Sequence, residues 1–311
     1  MSDVQSVLIT GGCGFIGANL ARLLRDRTDW SVRIVDDMRT GKPEMVEGLA
    51  DVHQGDVADP AVLKEVLKDI DAVVHLASET GVAPSLENPV RDFEGNAMTT
   101  FRVLEGCRQM QVERFVFASS GAAVGDVTPP IHENIVPRPL SPYGAGKLVG
   151  EAYCQAYAGS FGLNTVALRF SNVYGPLSAH KSKNAVPAFI TLALKQEDLH
   201  IYGDGTQTRD FIYVEDLCDG ILRSVTADDV AGEVFQLGTS VETSILEIAE
   251  IIRAAVRADV EIHFERRRAG EVYKSRVDIS KATRLLGFNP TIDVKEGLAR
   301  TADWYREHLA L

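Results

Sequence analysis

The chain has 311 residues, enough for one large domain or two small ones, and its 45% hydrophobic content can build a substantial core. A formal charge of −12 argues against DNA or RNA as a main partner, because phosphate backbones are held by basic faces. The start, Met1-Ser-Asp-Val-Gln5, lacks a basic stretch leading into an apolar one, no long apolar run follows, and four scattered cysteines (Cys13, Cys107, Cys154, Cys218) form no C-x-x-C pair, so a reduced, cytoplasmic protein without membrane span or bound metal is expected.

In chain order, strands are expected at Val7–Thr10, Val32–Asp36, Ala72–Leu76, Phe115–Ala118 and Thr165–Phe170. Helical patterns near Ile16–Arg25, Ala61–Leu67, Phe93–Met110 and Tyr143–Phe161 lie between them. This alternation predicts an α/β fold, a Rossmann-type doubly wound parallel sheet covered on both faces. Beyond residue 175 the rhythm breaks, leaving strand-like pieces at Leu199–Tyr202 and Val260–Phe264 and helices near Ile245–Ala255 and Val294–Leu309. Residues 1–175 are therefore read as a dinucleotide-binding domain and 176–311 mainly as a smaller, mixed α/β C-terminal substrate lobe. Some later segments are expected to return to the first part.

The first strand runs into Gly11-Gly-Cys-Gly14-Phe15-Ile16-Gly17, a G-x-x-G-x-x-G turn that opens a helix. Such a turn brings backbone close to a pyrophosphate at a helix N-terminus. The second strand ends in Asp36, 19 residues past Gly17. A carboxylate there accepts hydrogen bonds from ribose hydroxyls and repels a 2′-phosphate, which favours NAD over NADP, although Arg39 stands close by. Gly55-Asp56-Val57 and His75-Leu76-Ala77-Ser78 follow further strands, at the sheet edge where such ligands sit.

Tyr143-Gly-Ala-Gly-Lys147 puts a phenol and an ammonium on one helical face. The ammonium, joined by a positive nicotinamide, is expected to bring the phenol from about 10 to near 7, which takes roughly 4 kcal/mol of differential stabilisation. Ser119 and Ser120 follow the strand Phe115–Ala118 at its carboxyl end and supply a hydroxyl for the same centre.

These segments, together with Asn96, Leu168–Pro176, Tyr202–Phe211, Arg268-Ala-Gly-Glu271, Asp278–Lys281 and Leu285–Phe288, resemble the extended short-chain dehydrogenase/reductases of the NAD-dependent epimerase/dehydratase family over nearly the whole length. The resemblance implies that Ser120, Tyr143 and Lys147 are catalytic, with Tyr143 the general acid/base. It implies that Gly11, Gly14, Phe15, Ile16, Gly17, Asp36, Asp56, Val57, Leu76, Ala77, Asn96, Tyr143 and Lys147 hold NAD. Asn172, Ala185, Val186, Tyr202, Arg209, Arg268 and Glu271 would hold a UDP-sugar, the arginines gripping its diphosphate. Arg209 could instead be an ordinary partner of Asp210, and Arg268 part of an exposed basic run. The likeness also implies a homodimer in which the helix after Phe93 and the helix containing Tyr143 pair with their twins, although Met98, Phe101, Leu104 and Met110 suit the chain's own sheet equally.

Three reactions compete on such a scaffold. Relatives that dehydrate or decarboxylate carry ionisable residues just after the catalytic hydroxyl, whereas this chain has Gly121 and Ala122, so C4 epimerisation through a transient 4-keto sugar is expected. A ketoreductase using exchangeable cofactor and a non-catalytic NAD-binding sensor are the alternatives. Ser275 stands where bulk at C2 is limited in similar epimerases, and His180, Lys181 and Lys183 suit a uronate carboxylate or a plain solvated loop. A UDP-hexose, UDP-N-acetylhexosamine or UDP-uronate is left open. Val124 before Gly125, where tyrosine is usual, and Gly146, where serine is frequent, depart from the family pattern.

Overall fold

A computed structural model describes residues 4–179, 184–267 and 273–308. Seven strands form the central sheet: β1 (Ser6–Thr10), β2 (Ser31–Asp36), β3 (Asp51–Gln54), β4 (Ala72–His75), β5 (Arg114–Ser120), β6 (Asn164–Phe170) and, from far later in the chain, β11 (Glu233–Leu237). Their order is β11-β6-β5-β4-β1-β2-β3, and every pairing is parallel. The Rossmann-type sheet read from the sequence is therefore present, with β3 and β11 added. A strand ahead of Gly55 was implied but given no bounds, since Asp51-Val-His-Gln54 is a polar edge strand, and β11 was not expected, because it lies outside the early strand–helix rhythm.

Side-chain alternation splits the sheet cleanly between its two covers. Val7, Ile9, Val116, Leu168 and Phe235 point to one face, under α1 (Phe15–Arg27), α8 (Val214–Thr226) and α10 (Ser280–Leu286). Leu8, Val73, Phe115, Phe117, Ala167 and Val234 point to the other, under α2 (Pro60–Val66), α5 (Thr99–Gln109) and α6 (Pro142–Phe161). The strand order turns back between β1 and β4, so the carboxyl ends of these two strands border the crevice in which doubly wound sheets bind ligands.

One expected element is broken. Over Phe93–Met110 the chain forms a π-helical turn at Glu94–Met98 and then α5, and two short helices not read from the pattern, α3 (Val82–Glu87) and α4 (Pro89–Phe93), lead into it. The Thr99 hydroxyl bonds to the Glu94 carbonyl five residues back, filling the widened turn.

The remaining elements build the second lobe: β7 (Asn172–Tyr174), α7 (Ala185–Leu194), β8 (Leu199–Tyr202), β9 (Thr208–Arg209), β10 (Phe211–Tyr213), β12 (Thr243–Ser244), α9 (Ile245–Val256), β13 (Ile262–Glu265) and α11 (Val294–His308). They give three two-stranded sheets, β7–β10 and β8–β13 parallel and β9–β12 antiparallel, around a core that includes Phe189, Ile190, Ile248, Ile252 and Leu298. The strand expected from Val260 starts two residues later, and α7, α8 and α10 had not been read from the pattern.

Candidate active site

The glycine turn opens at the point where β1 ends. Gly11 has φ +67°, and a Cβ there would stand 2.8 Å from the Ala77 amide nitrogen; one on Gly17 would stand 2.5 Å from Gly12 Cα. These clashes require glycine, bringing the first turn of α1 against the β1 loop and that loop against the end of β4. Gly14 caps α1 without a side-chain hydrogen bond, and no acid sits in the helix's first turn. The amide ends of the first turn and the positive end of the helix dipole thus face the cradle, which fits a dinucleotide pyrophosphate. Phe15 is buried and Ile16 half-buried at the same turn.

Asp36 is buried at the tip of β2. Its Oδ2 accepts the Cys13 amide at 3.0 Å and its Oδ1 the Met38 amide at 2.9 Å, while burial pushes its carboxyl above the usual range. Each oxygen retains a lone pair, so the group that braces the glycine turn can also accept from a ribose hydroxyl. Arg39 pairs with Asp37 and with Glu79, at 2.6 Å for the latter. Both partners compete with any phosphate for it.

The neighbouring expectations are modified. Asp56 is exposed and its carboxylate bonds the Ala58 amide at 2.8 Å, whereas Val57 is buried. Leu76 and Ala77 lie half-buried beside the cradle. Asn96, on the π-helical turn, accepts from the Ser78 hydroxyl (2.6 Å) and donates to the Glu79 carbonyl (3.0 Å) and Asp92 Oδ1 (2.9 Å). Its side chain fixes the segment after β4, so any part it plays toward the cofactor runs through that segment.

Ser120, Tyr143 and Lys147 converge at the carboxyl end of β5. Ser120 caps a short 3₁₀ turn over Gly121–Ala123, accepting the Ala122 amide at 3.2 Å, with its side chain near enough to the Tyr143 phenol to lower it in part. Ser141 caps α6 through the Gly144 amide at 3.1 Å, and a Cβ on Gly144 would stand 2.3 Å from the Ala122 carbonyl oxygen. The start of α6 is thereby pressed onto the serine turn. Lys147, buried, donates to the Ala118 carbonyl at 2.8 Å, its Nζ 5.7 Å from the Tyr143 ring centre.

Burial raises the Tyr143 phenol above its ordinary value, Ser120 offsets part of this and Asp92 adds to it. The protein's own residues therefore do not bring the phenol near neutrality. Asp92 is itself buried and raised, and its Oδ2 has no hydrogen-bond partner. The departure at Val124 also has a physical reason: the side chain is fully buried against Ile131 and Val277.

In the second lobe Asn172 is exposed at the start of β7, and at the start of α7 Ala185 is half-buried and Val186 buried. Tyr202 ends β8 at 40% exposure, ahead of an open pocket of about 420 Å³ lined by Gly203, Asp204, Gln207, Arg267 and Tyr273. The reading of Arg209 as a partner of Asp210 does not hold. Asp210 turns inward, accepting the Thr239 amide at 2.7 Å and the Ser240 amide at 3.0 Å, while Arg209 is half-buried and donates to the Thr208 carbonyl. Arg267 and Tyr273 had not been singled out; the Arg267 guanidinium lies 5.0 Å from the Tyr273 ring centre, and Tyr273 Oη meets Thr206 Oγ1 at 2.6 Å. Their only sequence signal was adjacency to the Arg268–Glu271 segment. Arg268, Glu271, His180, Lys181 and Lys183 lie outside the described residues. Ser275 is half-buried between Tyr273, whose carbonyl bonds the Thr208 amide, and Arg276, whose carbonyl bonds the Ile131 amide.

Among the described residues no group of three or more His, Cys, Asp or Glu side chains could hold a metal ion, and no helix is long and apolar enough to cross a membrane.

A dinucleotide cradle beside a Ser–Tyr–Lys centre defines the class, and the family model matches residues 7–238: the chain belongs to the NAD-dependent epimerase/dehydratase family, and NAD is its cofactor. It is similar to the UDP-glucose 4-epimerase of Thermotoga maritima solved with UDP-glucose (TM-score 0.93, 32% identity, covering 97% of this chain and 99% of that one). The UDP-N-acetylglucosamine 4-epimerase of Methanobrevibacter ruminantium, solved with UDP-N-acetylmuramic acid, is equally similar (TM-score 0.93, 32% identity, 99% and 100% covered). The UDP-glucuronic acid 4-epimerase of Bacillus cereus, solved with UDP-glucuronic acid and NAD, has a TM-score of 0.90 at 30% identity (98% and 100% covered).

Proposed function

We propose that the protein epimerises a UDP-sugar at C4, with Tyr143 as general acid/base. The observation that carries this reading is the convergence of Ser120, Tyr143 and Lys147 at the carboxyl end of β5, with Lys147 held on the Ala118 carbonyl one helical turn after Tyr143, at the sheet edge that also holds the glycine cradle. When bound, NAD supplies a reversible two-electron acceptor and a positive ring. Tyr143 takes the proton of the sugar's 4-hydroxyl and gives it back after the 4-keto sugar has turned over. Ser120 orients that oxygen, while Lys147 holds ribose and stabilises phenolate. Gly121 and Ala122 carry no group for proton transfer at C5, which favours epimerisation over dehydration. Tyr202, Asn172, Ala185, Val186 and Arg209, with Arg267 and Tyr273 added, are assigned to the nucleotide and diphosphate, and Arg268 and Glu271 keep their sequence-based assignment.

The test is to incubate the pure protein, without added NAD, separately with UDP-glucose, UDP-N-acetylglucosamine and UDP-glucuronate. Inversion at C4 of one or more is expected. Turnover that appears only with reduced cofactor would make the protein a ketoreductase. Tyr143→Phe is expected to lose at least about 10²-fold in kcat, the range general acid/base groups contribute, while still binding UDP-sugar. Near-normal turnover in that variant removes Tyr143 from its role.

A further inference from the structure

Behind the Ser–Tyr–Lys centre lies a polar row in an otherwise apolar layer. Ser119 on β5, Arg169 on β6 and Gln236 on β11 are register partners across three strands. They sit directly above the apolar row Phe117, Ala167 and Val234. Glu151 of α6 covers the polar row. Its Oε1 accepts from the Ser119 hydroxyl at 2.5 Å and from Arg169 Nε at 2.9 Å, and its Oε2 from Arg169 Nη2 at 2.7 Å. Glu151 and Arg169 are each only 3% exposed.

Glu151 follows Lys147 by four residues and Tyr143 by eight, so all three side chains share one face of α6. Each meets a different residue at the end of β5: Glu151 meets the Ser119 hydroxyl, Lys147 the Ala118 carbonyl and Tyr143 the Ser120 side chain. Between these contacts a Cβ on Gly150 would stand 2.4 Å from the Phe117 ring, so helix and strand are in close contact.

A buried ion pair is roughly neutral for stability when compared with apolar side chains of the same size. This one is also imperfectly satisfied, since Arg169 Nη1 and both polar atoms of the Gln236 side chain have no hydrogen-bond partner. Its directional bonds do what Leu or Met could not, locking one translational register of the helix on the strand.

We propose that Glu151, through Ser119 and Arg169, is the positioning residue that sets the register of α6 on β5 and so the alignment of Tyr143 with Ser120. This rests on the reading of Tyr143 as the acid/base. Glu151 touches neither substrate nor cofactor; it acts through the helix.

The test compares the wild type with the double variant Glu151→Leu/Arg169→Met, which fills the site with apolar side chains, and with Ser119→Ala, which removes one contact and leaves the ion pair. Each is assayed with a UDP-sugar that the wild type turns over, and the crystal structure of the double variant is determined. The double variant is expected to fold with an unchanged KM and a kcat lower by about 10²-fold, the scale of loss from an ångström-size misplacement. Its Tyr143 hydroxyl is expected to have left Ser120. Ser119→Ala is expected to lose about tenfold in kcat, a milder form of the same misplacement. If the double variant does not fold, Ser119→Ala alone decides. A wild-type kcat in either folded variant, or an unmoved Tyr143 in the crystal, overturns the proposal. If instead Tyr143→Phe keeps its turnover, the acid/base reading fails, and the crystal comparison still decides whether Glu151 sets the register.

Discussion

The imidazole of His75 is buried at the end of β4, 2.7 Å from the Thr10 hydroxyl on one side and 3.3 Å from that of Thr100 on the other. The Thr10 oxygen also accepts the Ala77 amide, so this histidine braces the β1 and β4 ends that carry the glycine cradle. Burial, with Lys147 nearby, lowers its pKa to about 3, so the ring is neutral in the folded protein. The folded value lies below the unfolded one, so His75 costs no stability above the unfolded pKa of about 6.5. As pH falls below that, unfolding takes up a proton and stability drops by up to about 1.4 kcal/mol per pH unit until the folded pKa is reached. His75→Gln is expected to flatten the stability curve between pH 6 and 4, measured by urea unfolding across that range. Parallel curves for variant and wild type would mean that His75 is already protonated in the fold. The His-Leu-Ala run drew attention in the sequence as part of a ligand edge; the structure gives its histidine a bracing role instead.

At the scale of elements, close approach separates glycines that the fold requires from one that it merely tolerates. Gly17 lets α1 start within contact of the β1 loop. Gly17→Ala is expected to cost about 1–3 kcal/mol, as overpacking does, and to weaken NAD binding through displacement of α1. At Gly121 a Cβ would meet nothing nearer than the Phe170 carbonyl at 3.9 Å, and its φ is not positive. Gly121→Ala is therefore expected to stay within about 0.5 kcal/mol of wild type. Thermal unfolding with and without NAD measures both, and an unperturbed Gly17→Ala would show that the loop yields. Both glycines sit in family-like motifs, and one-dimensional spacing does not reveal which of them faces a backbone atom. The π-helical turn was illegible for a similar reason. The run Phe93–Met110 reads as one amphipathic helix, and the widened turn is fastened both locally, by Thr99 on Glu94, and from outside, by the bonds of Asn96 to Ser78 and Glu79, which the pattern does not show.

Over the whole molecule, apolar side chains stay uncovered on one side of the sheet domain. Leu86, Val90 and Phe93 of α3 and α4 are 63%, 66% and 54% exposed, and Tyr153 and Phe161 of α6 are 38% and 56% exposed. Of the four residues weighed earlier for this surface, Leu104 is fully buried, Phe101 packs on Tyr153 with ring centres 5.3 Å apart, Met98 is half-buried and Met110 is 37% exposed. We propose a homodimer through α3, α4 and α6, since an uncovered patch of this kind marks an interface. Light scattering is expected to give twice the chain mass for the wild type and the single-chain mass for Val90→Asp/Tyr153→Asp. A dimer that survives this change uses another face.

The strand–helix rhythm, the glycine turn, Asp36 and the Tyr143–Lys147 pair were enough to read the Rossmann-type sheet and its family, because these signals are local: period-two and helical patterning, and residue types at fixed spacing. The placement of β11 beside β6, the inward turn of Asp210 away from Arg209, the raised phenol of Tyr143 and the Glu151–Arg169 pair under Ser119 needed the folded chain. Each depends on which distant segments meet and on how much water they exclude. Burial and long-range pairing set those energies, and neither is written in the order of neighbouring residues.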